Sequence, residues 1–198
     1  VLQRPRNFSF KAGQKILLEL AGIRREYSLA SSPHEDELTI CIRFVKDGAL
    51  STKLANVTIG ESLEISDAYG FFVYRPGRAV FVATGTGVAP FAAYAKSGIR
   101  GHVLVHGVRD IVDLYYRDIL QDTVKNYVPC LTENSSFEEQ EPNFFFGRVT
   151  TYLASKLPKG KYDFYLCGNG AMIRDATVVI DRIFPDSRLF SEVFYTMK

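Results

Sequence analysis

Ala79-Val80-Phe81-Val82-Ala83-Thr84-Gly85-Thr86-Gly87-Val88-Ala89-Pro90 is the stretch on which the fold turns. Its apolar run, bounded by turn signals, reads as a strand buried on both faces, as in a parallel sheet. Gly85 and Gly87 can take backbone angles barred to other residues and let a flat ligand approach the main chain. Pro90 suits a first helical turn, where its missing N–H costs nothing. Val88, Phe91, Ala92 and Ala95 then recur at helical spacing. Strand, glycine turn and helix N-terminus together make a dinucleotide site. An ordinary tight turn would look the same, because the third glycine of the full fingerprint is absent.

Downstream of this stretch, strand and helix patterns alternate. Strands are expected at 79–83, 102–106, 127–131, 162–166 and 188–194, and helices at about 88–97, 112–121, 148–156 and 171–184. That order implies a five-stranded parallel, Rossmann-like sheet with crossover helices over 79–198. In the last helix Ile173, Ala176, Ile180 and Ile183 form the buried stripe. Residues 132–146 are acidic and aromatic without a period and read as an excursion loop.

Upstream, Arg75-Pro76-Gly77-Arg78 reads as a linker, and residues 1–75 look all-β. Strands are expected at 16–20, 27–30, 38–45 and 62–65, with one helical turn near 52–56. Short strands between Gly, Pro and Asp turns suggest a small antiparallel β-barrel.

Composition narrows the function. The chain has 198 residues, 46% of them hydrophobic, and a net charge of +2. That is enough apolar material for a core, and too little charge to argue for nucleic acid or an anionic membrane. Its apolar runs are too short for a membrane span. Cys41, Cys130 and Cys167 are odd in number and far apart, which is neither a disulfide framework nor a metal or iron–sulfur cluster, so no metal site is expected. A reducing, cytoplasmic setting is the simplest reading. His34, His102 and His106 lack metal spacing, and packing is the expected role of the last two.

Three more constellations carry chemistry. Arg25-Glu26-Tyr27-Ser28 offers a guanidinium fork for phosphate, a ring face and a hydroxyl; alone it is equally a strand with a surface arginine. Gly48-Ala49-Leu50-Ser51-Thr52 is a glycine turn with two hydroxyls at a helix start, either an anion nest or a plain capping turn. Tyr165-Leu166-Cys167-Gly168-Asn169-Gly170 is a second strand end opening through glycines into a helix. Ligands sit at such carboxyl ends in open α/β sheets, and Cys167 either lines the site or is a small buried thiol.

In this order, Arg-x-Tyr-Ser, Gly-x-x-Ser-Thr, Gly-Thr-Gly-Val-Ala-Pro and Cys-Gly-x-Gly resemble the ferredoxin–NADP reductase family over nearly the whole chain. Asp113-Leu114-Tyr115-Tyr116-Arg117-Asp118, Gly147-Arg148-Val149 and Glu192-Val193-Phe194 add to the match. The resemblance implies an FAD-binding β-barrel over 1–75, its usual first strand truncated before Val1, and an NAD(P)H-binding α/β domain over 79–198. It implies that Arg25, Tyr27 and Ser28 hold the flavin, with Ser28 near N5, and that Gly48, Leu50, Ser51 and Thr52 receive the pyrophosphate. Thr84, Gly85, Thr86 and Gly87 would cradle NAD(P)H, with Cys167 and Gly168 beside the nicotinamide. Glu192 and Phe194 would close the site, and Ser28, Cys167 and Glu192 would surround the reacting atoms. The terminal aromatic of plant-type members is not matched.

The function this implies is a flavoenzyme passing electrons between NAD(P)H and a separate one-electron carrier, a ferredoxin, flavodoxin or similar acidic protein. A reductase of free flavin, or of an oxygenase or cytochrome partner, is the alternative, as is a flavin subunit of a larger complex. A nucleotide-binding module without flavin would leave the Arg25 and Ser51 motifs idle. The resemblance also points to Arg109 and Arg148 as partners of an NADPH 2′-phosphate. The remaining position of that set holds Glu133, whose carboxylate would repel the phosphate and could accept from a ribose diol. NADH is therefore expected over NADPH, unless Glu133 merely faces solvent. Arg4, Arg6, Lys11, Lys15, Arg24 and Arg25 read either as a solvated basic face or as a docking patch for the acidic carrier. Oligomeric state is not legible.

Overall fold

The computed structural model describes residues 1–133 and 143–194. The N-terminal part contains β1 (Leu2–Gln3), β2 (Lys15–Leu20), β3 (Ile23–Ser28), β4 (Glu37–Leu38), the short helix α1 (Ser51–Leu54) and β5 (Glu64–Ile65). β2 lies between β3 and β5 in one antiparallel sheet, and β1 pairs with β4 in another. The bridges Leu29–Ile40 and Lys15–Tyr69 extend these ladders. The expected barrel is thus two small antiparallel sheets around Phe8, Phe10, Ile16, Leu29 and Leu38. Alternation along 15–20 turns Ile16 and Leu18 fully inward.

One expected strand is much shorter than its pattern. Alternation over 38–45 forms a ladder only at Glu37–Leu38, with Ile40 in the bridge. Ser51 explains the break: its Oγ accepts from the Val45 amide and donates to the Val45 carbonyl, so the chain is drawn into the α1 turn. The strand expected at 27–30 begins earlier, at Ile23, because Ala21 and Gly22, both at positive φ, make a tight hairpin.

From residue 79 the chain builds β6 (Ala79–Thr84), a 3₁₀ turn (Gly85–Val88), α2 (Ala89–Lys96) and β7 (Gly101–Val108). A second 3₁₀ turn (Ile111–Asp113), α3 (Arg117–Gln121), β8 (Val124–Leu131) and β9 (Phe145–Phe146) follow. α4 (Val149–Ser155), β10 (Asp163–Asn169), α5 (Gly170–Ile183) and β11 (Arg188–Phe194) complete it. The sheet is parallel, in the order β11-β10-β6-β7-β8-β9. The five expected strands are present, and β9 is a sixth. It forms because the Gly147 amide donates to the Leu131 carbonyl and lays Phe145 and Phe146 beside the end of β8. The helix expected at 112–121 is broken: Tyr116, at φ 62°, separates the 3₁₀ turn from α3. The expected loop 132–146 falls partly on 134–142, outside the described residues.

β6 alternates between two cores. Val80 and Val82 face Val149, Leu153, Ile173 and Ile180 of α4 and α5. Phe81 and Ala83 face Phe91 and Tyr94 of α2, together with Ala12 and Phe72 from the N-terminal part. The second core is therefore shared across the molecule. Tyr94 donates its hydroxyl to the Phe72 carbonyl at 2.6 Å, and the Tyr165 hydroxyl accepts from the Arg75 amide at 2.9 Å.

Candidate active site

β6 and β10 are neighbours in the sheet although the chain runs from β6 to β7, β8 and β9 before returning to β10. The winding direction reverses between them, which opens a crevice at their carboxyl ends. Thr84, the 3₁₀ turn 85–88, Cys167, Gly168 and the start of α5 meet there. A Cβ on Gly87 would run into the Cys167 carbonyl, and one on Gly168, at φ 147°, into Thr84 Oγ1. The turns therefore nest without side chains between them, leaving main chain at the crevice floor. Asn169 caps α5, its side chain accepting from the Met172 amide at 2.8 Å.

The register joins the residues expected around the reacting atoms. Cys167 stands opposite Ala83 on one side and Glu192 on the other, and Asn169 stands opposite Phe194. Ser28 stands opposite Lys15. Lys15 Nζ then meets Glu192 Oε1 at 2.7 Å. One lysine thus brings Ser28, Glu192 and Cys167 to a common junction between the small sheets and the parallel sheet. Ser28 is 2% exposed, and its Oγ has no hydrogen-bond partner among the described residues. A buried hydroxyl left unsatisfied is costly, so this orphan fits a polar ligand edge. Tyr27, the preceding residue, is half-buried and stands opposite Ile16. Burial pushes the Cys167 thiol up, with the Glu192 carboxylate adding to the effect, so Cys167 is a neutral, compact wall rather than a nucleophile.

Further along, Arg25 donates from Nη1 to the Arg24 carbonyl. The hydroxyls of Ser51 and Thr52 are occupied: Ser51 by both backbone groups of Val45, Thr52 by the Gly48 carbonyl at 2.7 Å. They shape the turn, in which the Thr52 amide also donates to the Gly48 carbonyl at 3.3 Å. At the far edge Arg109, after β7, and Glu133, after β8, form an exposed pair 3.9 Å apart, and the Glu133 amide donates to the Arg109 carbonyl. Arg148, exposed, is the N-cap residue of α4. His106 is buried, with Nδ1 3.0 Å from the Tyr127 hydroxyl; burial pushes it down to about 4, against a smaller opposing contact with the Gly85 backbone. It packs as a neutral ring.

The basic N-terminal residues are not one face. Arg4 donates to the carbonyls of Phe8, Pro33 and Glu35, which makes it an internal strut. Arg24 pairs with Glu19. Lys15 is turned into the junction. Read by itself, Lys15 is one basic residue at the edge of an apolar strand; only the pairing of β2 with β3 puts it beside Ser28. Glu26 and Tyr69 were equally silent: the Tyr69 hydroxyl donates to Glu26 Oε1 at 2.6 Å, and Glu26 Oε2 accepts from Lys15 at 3.0 Å. Among the described residues there is no cluster of three metal-ligating side chains and no helix long and apolar enough to cross a membrane.

Comparison with known proteins agrees with this geometry. Residues 2–74 match the family described as Oxidoreductase FAD-binding domain, and residues 81–177 match Oxidoreductase NAD-binding domain. The chain is 32% identical to the phenol hydroxylase P5 protein of Acinetobacter pittii, over 98% of this chain and 59% of that protein. It is also 32% identical to the flavodoxin/ferredoxin–NADP reductase of Escherichia coli, over 84% of this chain and 77% of that one. The crystal structure of the Amycolatopsis cytochrome P450 reductase GcoB superposes with a TM-score of 0.78 at 27% identity, covering 94% of this chain and 61% of that one. The chain thus spans about three fifths of two of these relatives.

Proposed function

The chain belongs to the ferredoxin–NADP reductase family, and we propose that it passes electrons from NAD(P)H through FAD to a separate one-electron carrier. The observation that carries this is the junction at which Lys15 joins Ser28, on the sheet expected to hold the flavin, to Glu192, beside Cys167. Bound FAD supplies the redox chemistry, taking a hydride and releasing electrons singly.

The protein's part is placement. Tyr27 offers its ring to the isoalloxazine and Ser28 its unsatisfied hydroxyl to the N5 edge. Arg25 and the turn of Gly48, Leu50, Ser51 and Thr52 receive the pyrophosphate. Thr84, Gly85, Thr86, Gly87 and Gly168 give the nicotinamide nucleotide a close main-chain surface. Cys167, buried and neutral, walls the nicotinamide, while Glu192 and Phe194 close the site and exclude water. In this reading 1–75 is the flavin domain and 79–198 the nicotinamide domain, in a cytoplasmic protein whose three cysteines are free.

A carrier such as ferredoxin or flavodoxin is the acceptor in this proposal, and an oxygenase component is a second reading. The equal identity to a phenol hydroxylase protein and to a flavodoxin/ferredoxin reductase favours keeping both. The purified protein should be yellow, bind FAD rather than FMN, and lose its flavin absorbance on addition of NADH or NADPH. A colourless protein that neither takes up FAD nor oxidises NAD(P)H would overturn the proposal. Ferredoxin, flavodoxin and oxygenase components offered in turn would then rank the acceptors.

A further inference from the structure

Lys15 stands where a solvated lysine would gain little. Its side chain is 19% exposed, its Nζ lies 2.7 Å from Glu192 and 3.0 Å from Glu26, and it sits 5.5 Å over the Tyr69 ring. Glu26 belongs to β3 and Glu192 to β11, so one ammonium ties the small antiparallel sheet to the parallel sheet. Glu192 is 8% exposed, and a buried carboxylate is costly unless a cation and hydrogen bonds attend it. Next to Glu192 in the sheet is Cys167, and opposite Lys15 is Ser28.

We propose that Lys15 is a positioning residue, whose ammonium holds the Glu192 carboxylate in place beside Ser28 and Cys167 and latches the end of β11, with Phe194, against the flavin-side sheet. The inference rests on the reductase reading. A plain surface ion pair would change little when removed. Here its removal strands a buried carboxylate inside the site.

The groups facing the pair are few. Glu26 and Tyr69 approach from the small sheets, Cys167 from β10, and Tyr94 from α2. Burial pushes the Tyr94 and Cys167 protons on more firmly, so neither titrates near neutral pH. Burial alone would lower the Lys15 ammonium, but its hydrogen bonds to Glu192 and Glu26 prevail and raise it to about 12. Tyr69 is likewise pushed up to about 12, by burial and its bond to Glu26. Between pH 6 and 9 the Lys15 ammonium and the Tyr69 hydroxyl should therefore each keep their proton, and hydride transfer should be nearly flat with pH.

Lys15→Met removes the cation and leaves the Glu192 carboxylate buried without its partner. The rate of flavin bleaching by NAD(P)H in Lys15→Met should then fall about tenfold or more between pH 6 and pH 9, because a buried carboxylate without its cation is costly in its charged form and the closed junction is lost. Glu192→Gln added to Lys15→Met should restore a flat profile, and Lys15→Arg should keep one. The apoproteins give an independent reading. Lys15→Met should lose thermal stability as pH rises from 6 to 9, and the double variant should not.

A flat profile in Lys15→Met, or a pH-dependent loss that persists in Lys15→Met/Glu192→Gln, would overturn the positioning role. If Lys15→Met does not fold, the double variant carries the test alone: failure to fold, or a profile steeper than wild type, sinks the proposal. A wild-type protein that takes no FAD removes the reductase reading instead, while the apoprotein series still reports on the latch.

Discussion

β6 and β2 each lie inside their own sheet, and they are built from different material. β6, Ala-Val-Phe-Val-Ala-Thr, carries no charge and is buried from Ala79 to Ala83, with helices and the N-terminal residues covering its faces. β2, Lys-Ile-Leu-Leu-Glu-Leu, buries Ile16 and Leu18 and sends Lys15 and Glu19 into ion pairs. A parallel sheet covered on both faces reads as a continuous apolar run; a small antiparallel sheet with one wet face alternates. β6 at the centre of the parallel sheet is thus held by apolar burial, which pH hardly touches. The small sheets and the junction lean on charges, which pH and salt reach directly.

The largest effect should come from the apolar side. Phe81 is 1% exposed and its ring lies 5.0 Å from that of Phe91, with Tyr94 and Tyr165 around it. Phe81→Ala should cost about 3–5 kcal/mol in urea unfolding. The loss should be the same at pH 6 and pH 9; a pH-dependent loss would break the contrast between the halves. Next comes the seam. Tyr94→Phe leaves the buried Phe72 carbonyl without its donor and should cost about 1–3 kcal/mol. If the N-terminal part then unfolds at lower urea than the parallel sheet, the seam couples them; a single transition at the wild-type midpoint would deny that.

The alkaline response is smaller and sharper. Lys15 is raised in the folded protein from 10.5 to about 12, so the stability it contributes is complete below pH 10.5 and is lost as pH climbs towards 12. After discounting for its partly solvated setting the loss should be about 1 kcal/mol. Thermal melts of wild type and Lys15→Met/Glu192→Gln between pH 9 and 12 would show it as a steeper slope in wild type, over the loss that Tyr69, also raised to about 12, gives in both. The smallest effect is at the exposed edge. Arg109 and Glu133 are 68% and 64% exposed, and such a pair is worth about 0–1 kcal/mol. Glu133→Arg should raise the ratio of kcat/KM for NADPH to that for NADH by a few-fold to about tenfold, as an added cation near a 2′-phosphate would. A wild type preferring NADPH by more than about tenfold, or an unchanged ratio in the variant, would remove Glu133 from donor choice.

The parallel half was legible because each strand there signals itself. Phe81 between Val80 and Val82, or Ile173, Ala176 and Ile180 along one helix, declare burial through composition and period alone. The small-sheet half was legible as β, with its ladders misjudged. Alternation through Arg43, Phe44 and Val45 suggests a long strand, but Ser51 holds Val45 by both backbone groups, a contact between residues six apart that no period reports. Phe145 and Phe146 pair with the end of β8 beside a hydrogen bond from the Gly147 amide to the Leu131 carbonyl, a contact equally invisible to patterning.

For the candidate site the division is similar. The sequence alone determined where the chain turns tightly at strand ends: a Cβ on Gly87 or Gly168 would collide with its neighbours, while Gly85, with open space around it, takes a positive φ. It also put Ser28, Cys167 and Glu192 on the list of groups for the reacting atoms, through their resemblance to a family pattern. Only the tertiary structure decided which charges are spent and where. Arg4, counted with the basic face, is consumed by three backbone carbonyls, and Lys15 is drawn into the junction with Glu26 and Glu192. The physical reason is range. Burial and turn chemistry act between neighbours and leave a period, whereas an ion pair joining residues 15 and 192 exists only once two sheets have folded and met.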